Sequence, residues 1–167
     1  GNSIDHAKQF ENESLLFTVH DMRTTYPEKF DAVFNLFTSF GYFEDENENI
    51  KTIKAIQNSL NEYGFGVIDF MNVDFIIENL VPEETKTVEN IEFHIKRYLK
   101  NNFIYKEIRF TDANEDYFFI EKVQAISLND FKTYFEKANI TLLDIFGDYK
   151  LNKFDSKNSN RLILIFK

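Results

Sequence analysis

Two short apolar runs near the start of the chain constrain its fold more than any other feature. Residues 15–19 (LLFTV) lead into His20-Asp21-Met22-Arg23, and residues 30–36 (FDAVFNL) lead into Phe37-Thr38-Ser39-Phe40-Gly41-Tyr42. Both runs have the length and β-rich composition of buried strands. Both stop in a cluster of polar and aromatic residues. In an open α/β sheet, ligands bind just outside the carboxyl ends of the strands. The two clusters are therefore where a site is expected.

The pattern downstream supports such a sheet. A helix with Ser3 as N-cap is expected over 3–11, and a loop over 23–29. Ile50, Ile53, Ala55, Ile56 and Leu60 fall at near-helical spacing, which predicts an amphipathic helix over 47–61 with Gly64 just past its end. Residues 66–70 form a third strand, followed by Met71-Asn72 and a short helix over 73–80 that Pro82 stops. The pattern then changes. Residues 88–98, 102–111 and 117–125 read as strands in series, with turns at Asn101-Asn102 and 112–115. They describe an antiparallel meander, not further βα units. Ser127 as N-cap and Asp130 in the first turn predict a helix over 128–138. Strands are expected at 140–149 and 161–166, and the second (RLILIF) is apolar enough to be central. A helix-free loop joins these two, so they are antiparallel. The predicted class is α/β: a partial Rossmann-like sheet with a β-meander insertion and a C-terminal antiparallel strand pair.

Composition narrows the chemistry. The length of 167 residues suits one domain, with 85–126 as its β-rich insertion. There is no cysteine, which removes disulfides, thiolate metal sites and a cysteine nucleophile together. The net charge is -9, and the basic residues are scattered apart from Lys96-Arg97-Lys100. A nucleic-acid groove needs a clustered basic face, so no nucleic-acid partner is expected. No apolar run approaches the length of a membrane span, and no signal pattern opens the chain. A cytoplasmic protein without a membrane partner is the expectation. The spacing offers no metal site, no phosphate loop and no nucleophile elbow.

Four segments, in order, resemble a known family: VHDMR at 19–23, FDAVFNLFTSFGYF at 30–43, LNEYGFGVIDFMN at 60–72 and FGDYKLNKFDSKNSNRLILIFK at 146–167. The chain resembles the C-terminal two-thirds of a class I S-adenosylmethionine-dependent methyltransferase. In that family the second segment reads FD, apolar strand, then F-S-S-x-G-Y. The third usually carries L-x-P-G-G, from which Asn61-Glu62-Tyr63-Gly64-Phe65-Gly66 departs while keeping glycines. The resemblance implies that the family's first strand, its glycine-rich turn and its second strand would lie before Gly1, so that this chain holds part of the S-adenosylmethionine site.

The resemblance also implies roles for particular residues. Asp21 and Met22 match positions that contact the adenine; taken alone, Asp21 reads as a loop-starting residue that caps a turn, and the surrounding match is what favours the adenine contact. Asn35, Phe37 and Thr38 match positions beside the methionine portion and the reacting methyl, with Phe37 either an apolar wall or core packing. Tyr42 faces the acceptor or is a surface aromatic. Asn72 faces the acceptor or caps the following helix. In the family such an insertion covers the acceptor pocket, which makes His94, beside Arg97, either a general base or a structural strand residue. No catalytic residue is singled out, because an activated methyl donor needs alignment more than acid–base help. The implied function is methyl transfer to a small-molecule acceptor. The alternative is a non-catalytic small-molecule-binding or protein-interaction domain. The 30–36 strand would have an open apolar edge and the 15–19 run no neighbour, so the chain either pairs this edge with a second copy as a homodimer or leaves its N-terminal segment detached from the main sheet.

Overall fold

The computed structural model describes residues 2–167. In chain order the elements are α1 (Asn2–Ala7), a 3-10 turn (Lys8–Phe10), β1 (Phe30–Asn35), α2 (Glu46–Asn58), β2 (Leu60–Met71), α3 (Val73–Glu78), β3 (Glu83–Val88), β4 (Ile91–Lys100), β5 (Phe103–Asp112), β6 (Glu115–Gln124), α4 (Leu128–Ala138), β7 (Leu142–Phe146) and β8 (Arg161–Phe166). They form two sheets, ordered β1-β2-β8-β7 and β3-β4-β5-β6.

The first sheet is mixed. β1 and β2 are parallel, and β8 runs antiparallel to both β2 and β7. Leu162, Ile163 and Leu164 are buried at the centre of this sheet, as their uninterrupted apolar sequence requires. At the pairing of Gly66 with Phe166, a Cβ on Gly66 would collide with the Phe166 ring. Phe166 is fully buried. Gly66→Ala is therefore expected to cost about 1–3 kcal/mol in urea unfolding, as overpacking does. An unchanged midpoint would show that the ring has room to move.

Both main helices are capped as their sequences demand. The Asp45 side chain accepts from the Asn47 N–H at the start of α2. Ser127 and Asp130 form a reciprocal capping box on α4, and Asn139 ends that helix in the left-handed conformation. The core joins Phe40, Ile53, Ile68, Phe70, Phe131, Phe135, Leu164 and Phe166.

The second sheet is a four-stranded meander of tight hairpins. Glu89-Asn90, Asn101-Asn102 and Ala113-Asn114 each have two consecutive positive φ angles, the signature of two-residue turns that match strand twist. The meander begins one strand earlier than its sequence indicates, because β3 (EETKTV) lacks apolar alternation.

The strand expected at 15–19 does not form. Leu15 makes only an isolated bridge to Asn12, and Leu16 and Val19 are 76% and 73% exposed. β-propensity is satisfied there, but no neighbouring strand supplies hydrogen bonds. β1 lies at the sheet edge, and residues 22–29 are too short a link for a parallel crossover between the two.

Candidate functional site

The chain turns sharply where β1 ends. After Asn35 and Leu36, Phe37 and Thr38 both take left-handed backbone conformations, with φ of 57° and 60°. Two such non-glycine residues in succession persist only where the surroundings hold them. Asp69 does so twice. Its Oδ2 accepts from the Phe37 N–H at 2.9 Å, and its backbone oxygen accepts from the Thr38 N–H at 3.0 Å. Asp69 is 1% exposed on β2. The Arg161 Nε donates to its Oδ1 at 2.7 Å, and the Tyr149 hydroxyl donates to its Oδ2 at 3.0 Å. Arg161 reaches on to the Thr38 Oγ1 at 3.2 Å. Burial, then the hydrogen bond to Asp69, raises the Tyr149 hydroxyl above the ordinary tyrosine range. None of Asp69, Tyr149 and Arg161 was singled out from the sequence. The available signal was an aspartate inside GVIDFM and an arginine opening RLILIF, two charges in otherwise apolar strands.

Met22 lies beside β1, and Asp21 precedes it in a turn. Asp21 accepts from the Arg23 backbone N–H at 3.0 Å and from its guanidinium at 2.6 Å. Arg23 continues to Glu48 in the first turn of α2 at 2.8 Å and lies over the Phe43 ring at 5.0 Å. The turn at 21–23 is thus tied to the segment that follows β1. The Arg23 hydrogen bonds hold the Asp21 carboxyl well below the usual carboxylate range. Met22 and Asn35 line one narrow cleft of about 170 Å³ with His20, Tyr26, Val33 and Ile56. The Asn35 Oδ1 is buried there without a hydrogen-bond partner. Buried polar atoms are paired in the great majority of cases, so this acceptor stands out.

The remaining sequence-predicted residues are placed more widely. Tyr42 is half exposed, and burial together with the nearby Glu121 carboxylate raises its hydroxyl. The root of the meander meets this segment: the Gln124 N–H donates to the Gly41 oxygen at 2.7 Å, and Lys122 pairs with Glu44. Asn72 is 2% exposed, and its Nδ2 donates to the backbone oxygens of Ser156 at 2.9 Å and Ser159 at 2.7 Å. Its side chain makes no cap bond to α3; it clamps the loop that precedes β8. His94 and Arg97 are three positions apart on one strand and so project from opposite faces of the meander. His94 is exposed beside Glu92 at 3.1 Å, whereas Arg97 is half-buried and paired with Glu84 at 2.6 Å. One pocket on one face does not hold both side chains.

Among the described residues, no group of three or more His, Asp or Glu gathers as a metal would require. No described helix is long and apolar enough to cross a membrane. The chemistry on offer at the edge of β1 is a narrow slot, an unpaired acceptor and a braced backbone turn, which suits holding and aligning a ligand.

Comparison with solved structures defines the class of fold. A S-adenosylmethionine-dependent methyltransferase from Clostridium acetobutylicum superposes with a TM-score of 0.78 at 19% identity, over 91% of this chain and 64% of its own. The CcbJ methyltransferase from Streptomyces caelestis gives 0.83 at 9% identity, over 99% of this chain and 69% of its own. A sugar N-methyltransferase from a Streptoalloteichus species gives 0.72 at 14% identity, over 97% and 66%. The fold is that of the class I S-adenosylmethionine-dependent methyltransferases. The chain spans 64% of the length of the first of these. No protein-family model and no curated protein matches it.

Proposed function

We propose that this chain is the larger part of a S-adenosylmethionine-dependent methyltransferase acting on a small-molecule acceptor. The observation that carries this reading is the cleft beside β1. Its walls from Met22, Val33 and Ile56 are apolar, and Asn35 offers one buried, unpaired acceptor. Apolar walls with one unpaired acceptor suit an elongated ligand that carries both an apolar ring and a hydrogen-bond donor. The residues present therefore fit the cofactor, with its ring toward Met22 and a donor toward Asn35, and they do so on a fold that known methyltransferases share.

In this reading Asp21 and Met22 hold the adenine side, and Asn35, Phe37 and Thr38 border the reacting end. When bound, the cofactor supplies an activated methyl group. The chain's own work is alignment. Asp69 fixes the backbone of Phe37 and Thr38, and the exposed Phe37 ring would offer an apolar wall to a ligand at this edge. Tyr42 and the meander, residues 85–126, wall the acceptor side. The portion of the neighbours' length that this chain does not span would contribute the glycine-rich turn and the strands that pair with the open edge of β1.

Calorimetry with S-adenosylmethionine tests this on the chain together with the residues encoded upstream of it. Binding is expected for that longer protein, and weaker binding or none for the 167-residue chain alone. Absence of binding to the longer protein overturns the reading in favour of a non-catalytic domain. In the longer protein Asp21→Ala is expected to weaken binding more than it changes stability, because a carboxylate that accepts from the ligand is lost. A variant that binds normally but melts at lower temperature would make Asp21 a turn residue only.

A further inference from the structure

The two edges of the meander are unlike. β3 (EETKTV) carries Glu83, Glu84 and Lys86, the charged protection that exposed edges usually have. β6 has none in its middle. Tyr117, Phe118, Phe119 and Ile120 are consecutive, and they are 36%, 47%, 53% and 54% exposed. Phe110 on β5 stacks against Tyr117 at 4.9 Å and Phe119 at 6.0 Å, so the apolar surface spreads from the edge across one face.

The hydrogen-bonding side of this edge is readable. The Ala125 N–H donates to Asn102, on the β5 side, whereas the Gln124 N–H donates to Gly41, on the other. Peptide groups alternate along a strand, so Asp116, Phe118, Ile120 and Lys122 direct their N–H and C=O groups away from β5. The Gly41 turn closes the edge at Gln124. The open stretch is therefore residues 116–122.

We infer that this stretch is the pairing edge for a second copy of the chain, joined antiparallel across a two-fold axis at Phe119. An isologous antiparallel pair must set residues of one face opposite each other. The register centred on Phe119 uses the whole open stretch and ends where Gly41 begins. It sets Asp116 of each copy opposite Lys122 of the other, Phe118 opposite Ile120, and Phe119 opposite itself. Opposite charges then meet at both ends and apolar side chains in the middle, the pairs that stabilise neighbouring strands. Lys122 already meets Glu44 within its own chain, and Asp116 of the second copy adds a carboxylate on its other side. The charge register is what favours a second copy over an unrelated peptide. The inference does not depend on the methyltransferase reading.

Light scattering and cysteine cross-linking of the purified chain test it. The sequence has no cysteine, so a single introduced thiol reports one register. Residues at 119 would form a non-hydrogen-bonded pair with Cα atoms about 4.5 Å apart, within disulfide reach. Residue 118 or 120 would face its own copy only diagonally, beyond the ~7 Å limit for a disulfide. A dimer is expected, with Phe119→Cys cross-linking about tenfold faster under mild oxidation than Phe118→Cys or Ile120→Cys. Phe118→Pro removes an outward N–H and no bond to β5; it is expected to be monomeric with its circular dichroism retained. A monomeric wild-type chain at micromolar concentration overturns the inference, whatever else binds the strand. So does a dimer in which Phe119→Cys shows no preference. If the proline variant fails to fold, the three cysteine variants still decide.

Discussion

Asp69→Ala is expected to destabilise the chain by about 3 kcal/mol in urea unfolding, and to release the turn at Phe37 and Thr38. The cause is the partner left behind. Removing one member of a buried ion pair typically costs about 3–5 kcal/mol, because the other charge stays desolvated. The Arg161 side chain is 18% exposed, and water can partly rehydrate it, which puts the cost at the low end. The Phe37 N–H also loses its acceptor. Asp69→Leu combined with Arg161→Met is expected to recover much of the stability, since a matched apolar pair leaves no charge behind. A loss under about 1 kcal/mol for Asp69→Ala would place the pair among ordinary surface salt bridges.

Phe131→Ala is expected to cost about 3–5 kcal/mol, the range for deleting a buried phenylalanine ring. Phe131 is fully buried on α4, with ring centroids of Phe40 at 5.5 Å, Phe70 at 5.4 Å and Tyr134 at 6.1 Å. These partners come from the turn after β1, from β2 and from its own helix. The cavity therefore opens where three segments meet, and none can close it without dragging its element. Phe131→Leu keeps much of the volume and is expected to cost less than half as much. Equal losses for the two variants would show that ring contacts, not volume, dominate.

What the sequence made legible follows from how local each signal is. The helix at Leu128–Ala138 and the strand at Arg161–Phe166 form where their own residues indicate, because a capping box and an unbroken apolar run need no distant information. The turn at Asn101-Asn102 is equally local, since asparagine tolerates the left-handed backbone. The run at 15–19 fails because a strand is a relation between two segments, and propensity reports only one. β3 was hidden for the converse reason: a polar edge strand has no period to read. The brace behind Phe37 and Thr38 was hidden by distance. Asp69 acts with Tyr149 and Arg161, 80 and 92 positions away, and only the β2–β8 pairing brings them together.

The order β1-β2-β8-β7 has a consequence for how this chain is made. Arg161–Phe166, which pairs with both β2 and β7, is synthesised after every other described element of that sheet. The meander hairpins need only neighbouring residues and can close while the ribosome is still working. The mixed sheet cannot, since β2 waits nearly a hundred residues for β8, and non-local pairing is slow in any case. Until residue 166 emerges, the hydrogen-bonding edge of β2 stands open and Phe135 on α4 lacks its Phe166 partner. A nascent chain in this condition is a client for a holding chaperone. A stalled ribosome carrying residues 1–150 should present a folded meander beside a sheet that is still open.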